Sequence, residues 1–274
     1  MHFYTRDGEA RHTVIGKNGK ERPSRVADAT GQGWLPSATT ILQIKANPQL
    51  TKWFQKMAVQ AALTSERGPH ESMDDFIDRI IYESTEKSRT ATDFGTLIHD
   101  HLERWNRDHS YIPAPECDGL IRHICAKWRD YCAENVLSVL HAERLIACPP
   151  LGVAGTVDLI CERKDTGLSV SDFKTTGGIK DGKASFWPNY AWQLALYSRM
   201  VRIQDGLSED PRIVSHVINS QEPDEIHTKV YTQEEQQKAL AMVLTLAKAW
   251  FLEKNYFPDG LDRKALDDPS YIPQ

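Results

Sequence analysis

The sequence has no apolar run approaching the ~20 residues that a bilayer-crossing helix needs. Its start, MHFYTRDGEARHTV, shows neither the apolar stretch of a secretory signal nor the acid-poor character of a transit peptide. A cytoplasmic protein with no membrane partner is expected, in a bacterium or, for a phage-encoded chain, in the host. None of the five cysteines (Cys117, Cys125, Cys132, Cys148 and Cys161) forms a C-x-x-C pair. Their odd number fits reduced thiols better than a disulfide framework. Positive charge is not in surplus either: 33 Lys and Arg against 38 Asp and Glu leave a net charge of −5, which argues against a protein that coats nucleic acid electrostatically. From Asp205 onward there are 13 acidic and 7 basic residues, so the first 204 residues stand near +1 and leave room for a locally basic groove. Internal repeats and low-complexity tracts are absent as well.

What is there is an ordinary globular composition, 40% apolar and 26% charged over 274 residues. Asp7-Gly8 and Asn18-Gly19 are hairpin signals between β-compatible pieces, so residues 1–35 read as a β-rich N-terminal elaboration. Ser37 is a candidate N-cap for a helix through ATTILQI, and helical periodicity resumes after Pro48. Separate helices are expected after Ser72, from about Thr92 to Asn106, and from Cys117 to Asn135. From residue 137 short strand-like runs take over (VLSVLHAERLI, GVAGTVDLICER and GLSVSDFKTT). A helix in YAWQLALYSRMVRI, strands RIVSHVIN and EIHTKVY, and a helix opened by Thr232 and Glu235 in capping-box spacing follow. Residues 36–255 read as one α/β domain with a mixed central sheet flanked by helices, and 256–274 as a tail without periodicity.

The chemistry centres on SDFKTT. In a strand, residues two apart share a face, so Asp172 and Lys174 stand side by side while Phe173 faces the other way. Taken alone, such a pair reads as an ion pair on an edge strand. If GTVDLICE and LSVSDFKTT form a hairpin through RKDTG, Asp158 joins the Asp172/Lys174 face. Two close carboxylates repel unless a cation lies between them, and oxygen ligands of this kind suit Mg²⁺.

GTVD, then DFK, then QLALY resemble the G-x-x-D, D-x-K and Q-x-x-x-Y motifs of the PD-(D/E)XK nuclease superfamily, and more narrowly its RecB-like exonuclease branch. The matching residues are Gly155, Asp158, Asp172, Lys174, Gln193 and Tyr197. Upstream, GTLIHDHLE is similar to the branch's G-x-x-x-H-x-x-x-E helix through Gly95, His99 and Glu103. The arrangement also resembles stand-alone phage exonucleases and the mitochondrial genome maintenance exonuclease.

The resemblance implies a restriction-endonuclease-like core and Mg²⁺-dependent DNA hydrolysis, with Mn²⁺ able to substitute. It implies His99, Asp158, Asp172 and the main-chain carbonyl of Phe173 as metal ligands, Lys174 as the group acting on the attacking water, and Gln193 and Tyr197 as its helpers on one helix face. Glu143 matches the early acidic position loosely. His99 read alone is a helix histidine facing Glu103, and His101, about 200° further around, faces elsewhere. With no cysteine after Cys161, no iron–sulfur cluster of the kind some members carry is expected. Arg163, Lys164, Lys180 and Lys183 border the site as candidate phosphate contacts, and Trp187 and Trp192 as candidate base-stacking residues, each against a plain surface or packing role. A recombination or single-strand-annealing protein and further copies of the chain are candidate partners. An endonuclease, a silent DNA-binding subunit and a metallohydrolase for other esters remain open alternatives.

Overall fold

The computed structural model describes residues 1–45, 48–177, 179 and 182–273. The chain divides into two units, Met1–Ile44 with His101–Gln274, and Lys45–Asp100.

The first unit begins with β1 (Phe3–Tyr4), β2 (Thr13–Ile15), β3 (Glu21–Pro23), a single turn α1 (Val26–Ala29), β4 (Leu35–Pro36) and α2 (Ala38–Leu42). β1 pairs with β4 and β2 with β3, giving two small antiparallel sheets in the region expected to be β-rich. Ser37 caps α2 by accepting the Thr40 N–H at 3.0 Å.

α3 (Pro48–Thr64) and most of α4 (Met73–Arg107) make up the second unit. Two helices were expected where α4 runs unbroken for 35 residues. The joining stretch TEKSRTA contains no glycine or proline, so nothing in it stops a helix that has started. Within this unit Arg79 ties Glu71 and Glu83 together, each at 2.9 Å.

After α5 (Gly119–Asn135) come β5 (Val136–Cys148), a 3₁₀ turn at Pro149–Leu151, β6 (Val153–Arg163), β7 (Gly167–Thr176), α6 (Pro188–Asp205), β8 (Arg212–Asn219), β9 (Ile226–Val230), α7 (Gln233–Lys254) and α8 (Arg263–Asp267). The five long strands form one mixed sheet in the order β5-β6-β7-β8-β9. Only β7 and β8 are parallel, and α6 supplies the crossover that a parallel pair requires. β7 is therefore central, not the edge strand on which an isolated Asp172/Lys174 pair would be unremarkable.

α6 and α7 pack together on one face of the sheet, over a core that includes Val157, Val170, Leu194, Val243 and Phe251. Residues 193–201 of α6 are all buried, the polar Gln193, Ser198 and Arg199 among them. α5 covers the opposite face, where Trp128 meets Phe173 edge-on with centroids 4.8 Å apart. The Thr232/Glu235 capping box opens α7 as its spacing predicts.

The stretch after Asn255, read from sequence as a tail, instead forms α8 and buries Tyr256 and Leu266. The Tyr256 hydroxyl donates to the Trp34 carbonyl at 2.5 Å, a partner 222 residues away that local periodicity cannot signal. Among the described residues no helix is long and apolar enough to cross a membrane.

Candidate active site

The site lies where the sheet forks. β6 and β7 are laddered only from the hairpin turn to the Leu159↔Ser171 pair. Beyond it β6 stays with β5, while Asp172–Thr176 stay with β8. Asp158 and Asp172 are the first residues past the split. There the Phe173 N–H is met by Asp158 Oδ2 at 2.8 Å, a side chain standing in for the next rung. An extended residue presents its N–H and C=O to the same neighbour, so the Phe173 carbonyl also faces the fork.

Strand alternation then sets the cast. Asp172 and Lys174 project towards α6, and Phe173 projects towards α5. The Asp172 side chain is 3% exposed, and its Oδ2 lies 2.5 Å from Lys174 Nζ. Lys174 also donates to Gln193 Oε1 at 3.4 Å, and Gln193 Nε2 donates to the Tyr197 hydroxyl at 3.3 Å. Burial works against the Lys174 charge, but the Asp172 and Asp158 carboxylates outweigh it and raise its pKa. Burial also holds the Tyr197 phenol well above its usual range, so it stays neutral.

Gly155 has a steric role in this arrangement. A Cβ built there would come within 2.7 Å of Tyr197 Cε1 and 2.8 Å of its hydroxyl, so only glycine lets the ring lie against β6. Gly155→Ala is expected to destabilise the fold by about 1–3 kcal/mol through this overlap. Thermal denaturation checks it, and an unchanged midpoint would show that the ring does not rest there.

Glu143 stands opposite Asp158, since Ala142 pairs with Leu159 and Arg144 with Val157. It adopts φ 51°, a left-handed conformation that costs a non-glycine residue roughly 1–2 kcal/mol. The register shifts between Val136/Ser138 and Val139/His141 lie just before it in the same strand. Glu143 and Asp158 each offer a carboxylate oxygen, within 4.8 Å of one another. Burial, then Asp172, then Glu143 push Asp158 well above the usual carboxylate range, against the pull of Lys174. Oxygen donors crowded to the point of mutual repulsion fit a hard divalent cation, which would relieve it.

The remaining sequence candidates each have their own surroundings. His99 lies half-buried on α4, and Glu103 on the same helix is ion-paired with Arg107 at 2.6 Å. His101 is a satisfied core histidine, its Nδ1 2.7 Å from the Tyr111 hydroxyl. Arg163 is turned inward, forked onto Asp165 at 2.9 and 3.0 Å and onto the Tyr131 hydroxyl at 2.6 Å. It also sits five residues along β6 from Asp158, roughly 17 Å away. Lys164 Nζ donates to the Ala133 carbonyl at 2.7 Å at that same remote end. Lys183 is exposed, and Lys180 lies outside the described residues. Trp192 packs against the core, whereas Trp187, at the start of α6, is 43% exposed.

One residue at the site escaped the motif reading. Tyr190, also on α6, has its ring centroid 5.6 Å from Lys174 Nζ. The signal was present, because Tyr190, Gln193 and Tyr197 are spaced i, i+3 and i+7 and so share a helix face.

A mixed sheet forked at paired carboxylates, with a lysine held over one of them, is the geometry around which the rest of the domain is built. The chain belongs to the PD-(D/E)XK nuclease superfamily, whose model matches residues 76–260, about two thirds of its length. The substrate class of that family is nucleic acid. Among solved structures the chain is similar to a "Putative exonuclease" from Eubacterium rectale, at 18% identity and TM-score 0.40 over 61% of this chain and 68% of that one. It is also similar to the protein SSO0001, at 14% identity and TM-score 0.30 over 75% and 86% of the two chains. No curated protein matches it.

Proposed function

We propose that the chain is a metal-dependent DNA exonuclease of the RecB-like branch, hydrolysing phosphodiesters to 5′-phosphate products. The convergence of Asp158, Asp172 and Lys174 at the fork carries this reading, because it joins donors for a divalent cation to a positioned ammonium. Glu143 and Asp158 are donors suited to such an ion, with Asp172 and the Phe173 carbonyl beside them, and the family resemblance adds His99 to the set. Mg²⁺, or Mn²⁺ in its place, would polarise the phosphate and lower the pKa of a bound water.

The chain's own residues do the rest. Asp172 and Gln193 fix Lys174, whose ammonium donates to the attacking water and offsets charge gathering on the phosphate. Water adds to phosphorus opposite the 3′ oxygen and gives up a proton to solvent, while the P–O3′ bond breaks and the 3′ oxygen leaves with a proton from solvent. Tyr197 holds Gln193 in place. The exposed Trp187 ring and Lys183 are the remaining described candidates for stacking and phosphate contact. The setting proposed is phage or bacterial recombination and repair in the cytoplasm, with a single-strand-annealing or recombination protein, or further copies of the chain, as partners.

The test is digestion of end-labelled linear DNA, single- and double-stranded, beside closed circles, in Mg²⁺, for wild type and Asp172→Ala. Linear DNA should disappear, circles should survive and Asp172→Ala should be inactive. Cut circles would make the protein an endonuclease, and binding without cutting would make it a silent subunit.

A further inference from the structure

We propose that Tyr190 is a positioning residue for Lys174, its ring forming the third wall of the ammonium's seat; the assignment rests on the nuclease reading of the same site. An ammonium carries three N–H donors and no acceptor. Lys174 Nζ is ion-paired with Asp172 Oδ2 at 2.5 Å and donates to Gln193 Oε1 at 3.4 Å. The Tyr190 ring lies 5.6 Å from the same nitrogen, inside the range at which an aromatic face attracts a cation.

A ring differs from a third oxygen in one respect that matters here. At 5.6 Å its quadrupole attracts the charge from beyond hydrogen-bond distance, so it restrains the flexible lysine stem and leaves one N–H for water or phosphate. A carboxylate or amide in that place would consume the last donor.

Helix geometry makes the arrangement economical. Tyr190 and Gln193 are three residues apart on α6, so a single helix face delivers both the ring and the amide to one strand residue. The Tyr190 phenol is held above its ordinary range by burial, which keeps the ring neutral where the enzyme would work. The neighbouring aromatic Tyr231 is already committed: Lys229 lies 4.6 Å from its ring centroid, and its hydroxyl meets Ser215 Oγ at 3.1 Å.

The test compares wild type, Tyr190→Leu and Tyr190→Phe in steady-state cleavage of linear DNA in Mg²⁺. A parallel NMR measurement on metal-free protein follows the Lys174 Hε resonances, assigned with Lys174→Arg. Tyr190→Leu should lower kcat on the order of ten-fold with KM held within about two-fold, and Tyr190→Phe should recover most of the loss, because the ring alone is required. The Lys174 signals should lie upfield in wild type and Tyr190→Phe and move downfield in Tyr190→Leu as the ring current is lost. A rise in KM with kcat held would make Tyr190 a substrate contact, and a Phe variant as poor as Leu would place the role in the hydroxyl; either overturns the proposal. Should wild type fail to cut DNA, the nuclease reading falls by itself, and the NMR comparison still decides whether the ring holds Lys174.

Discussion

Lys174→Met is expected to lower cleavage by on the order of 10³-fold or more and to destabilise the metal-free fold by about 3 kcal/mol. The second effect follows from Asp172, a carboxylate with a 3% exposed side chain whose cation lies 2.5 Å away. Removing the ammonium leaves a buried charge without compensation, and methionine fills the space without replacing the charge. The Lys174 pKa is raised in the fold, so the ammonium's contribution is complete at neutrality. It is lost as pH rises through the elevated lysine value, far into the alkaline range. Urea denaturation at neutral pH measures the loss. Adding Asp172→Asn to Lys174→Met should return most of the stability and none of the activity. A single variant as stable as wild type would show that Asp172 does not depend on its neighbour.

Asp158→Asn should abolish cleavage to a similar degree, on the order of 10³-fold, yet make the metal-free protein more stable at neutral pH. Asp158 is the carboxyl that the fold holds well above its usual value, through burial and its acidic neighbours. A raised carboxyl pKa means that the folded state favours the proton. Its contribution is present below the unfolded value near 4 and is lost as pH rises through the folded one. Wild type should therefore fall progressively behind Asp158→Asn as pH climbs from about 4 towards neutrality. Mg²⁺ should narrow the gap by binding wild type alone. Melting curves of both proteins across that range, with and without Mg²⁺, measure it, and a gap indifferent to pH would sink the argument. Asparagine can still accept the Phe173 N–H through its amide oxygen, so the strand ends stay joined and the comparison isolates the charge.

How far the sequence disclosed all this depends on the range of the forces involved. Two-residue spacing is enough to put Asp172 and Lys174 on one face, and the turn residues in RKDTG are enough for the β6–β7 hairpin. Ser37 and the Thr232/Glu235 pair cap their helices by contacts within four residues. The readings that changed turned on distant partners. Arg163 is drawn inward by Tyr131, 32 residues away, and no composition count says which way a long charged side chain turns. The stretch after Asn255 gains its order from Trp34 and not from its own pattern. Glu143 gave no hint of a left-handed backbone, because glutamate has no preference for one and the conformation is imposed by the strand around it. Tyr190 lies outside the Q-x-x-x-Y motif, and only its i, i+3, i+7 spacing with Gln193 and Tyr197 puts it on the same helix face.

The fork also fixes an order of events during synthesis. Asp158 and Asp172 occupy one hairpin, a local structure that closes as soon as both strands have been made. Lys174 is seated only by α6, and β7 finds its parallel partner only when Ser215 arrives opposite Asp172, about forty residues later. Closing that long loop costs entropy before any contact across it forms. A chain still attached to the ribosome with β7 just emerged thus holds its acids without the seated ammonium. The full constellation is assembled only with the last third of the chain.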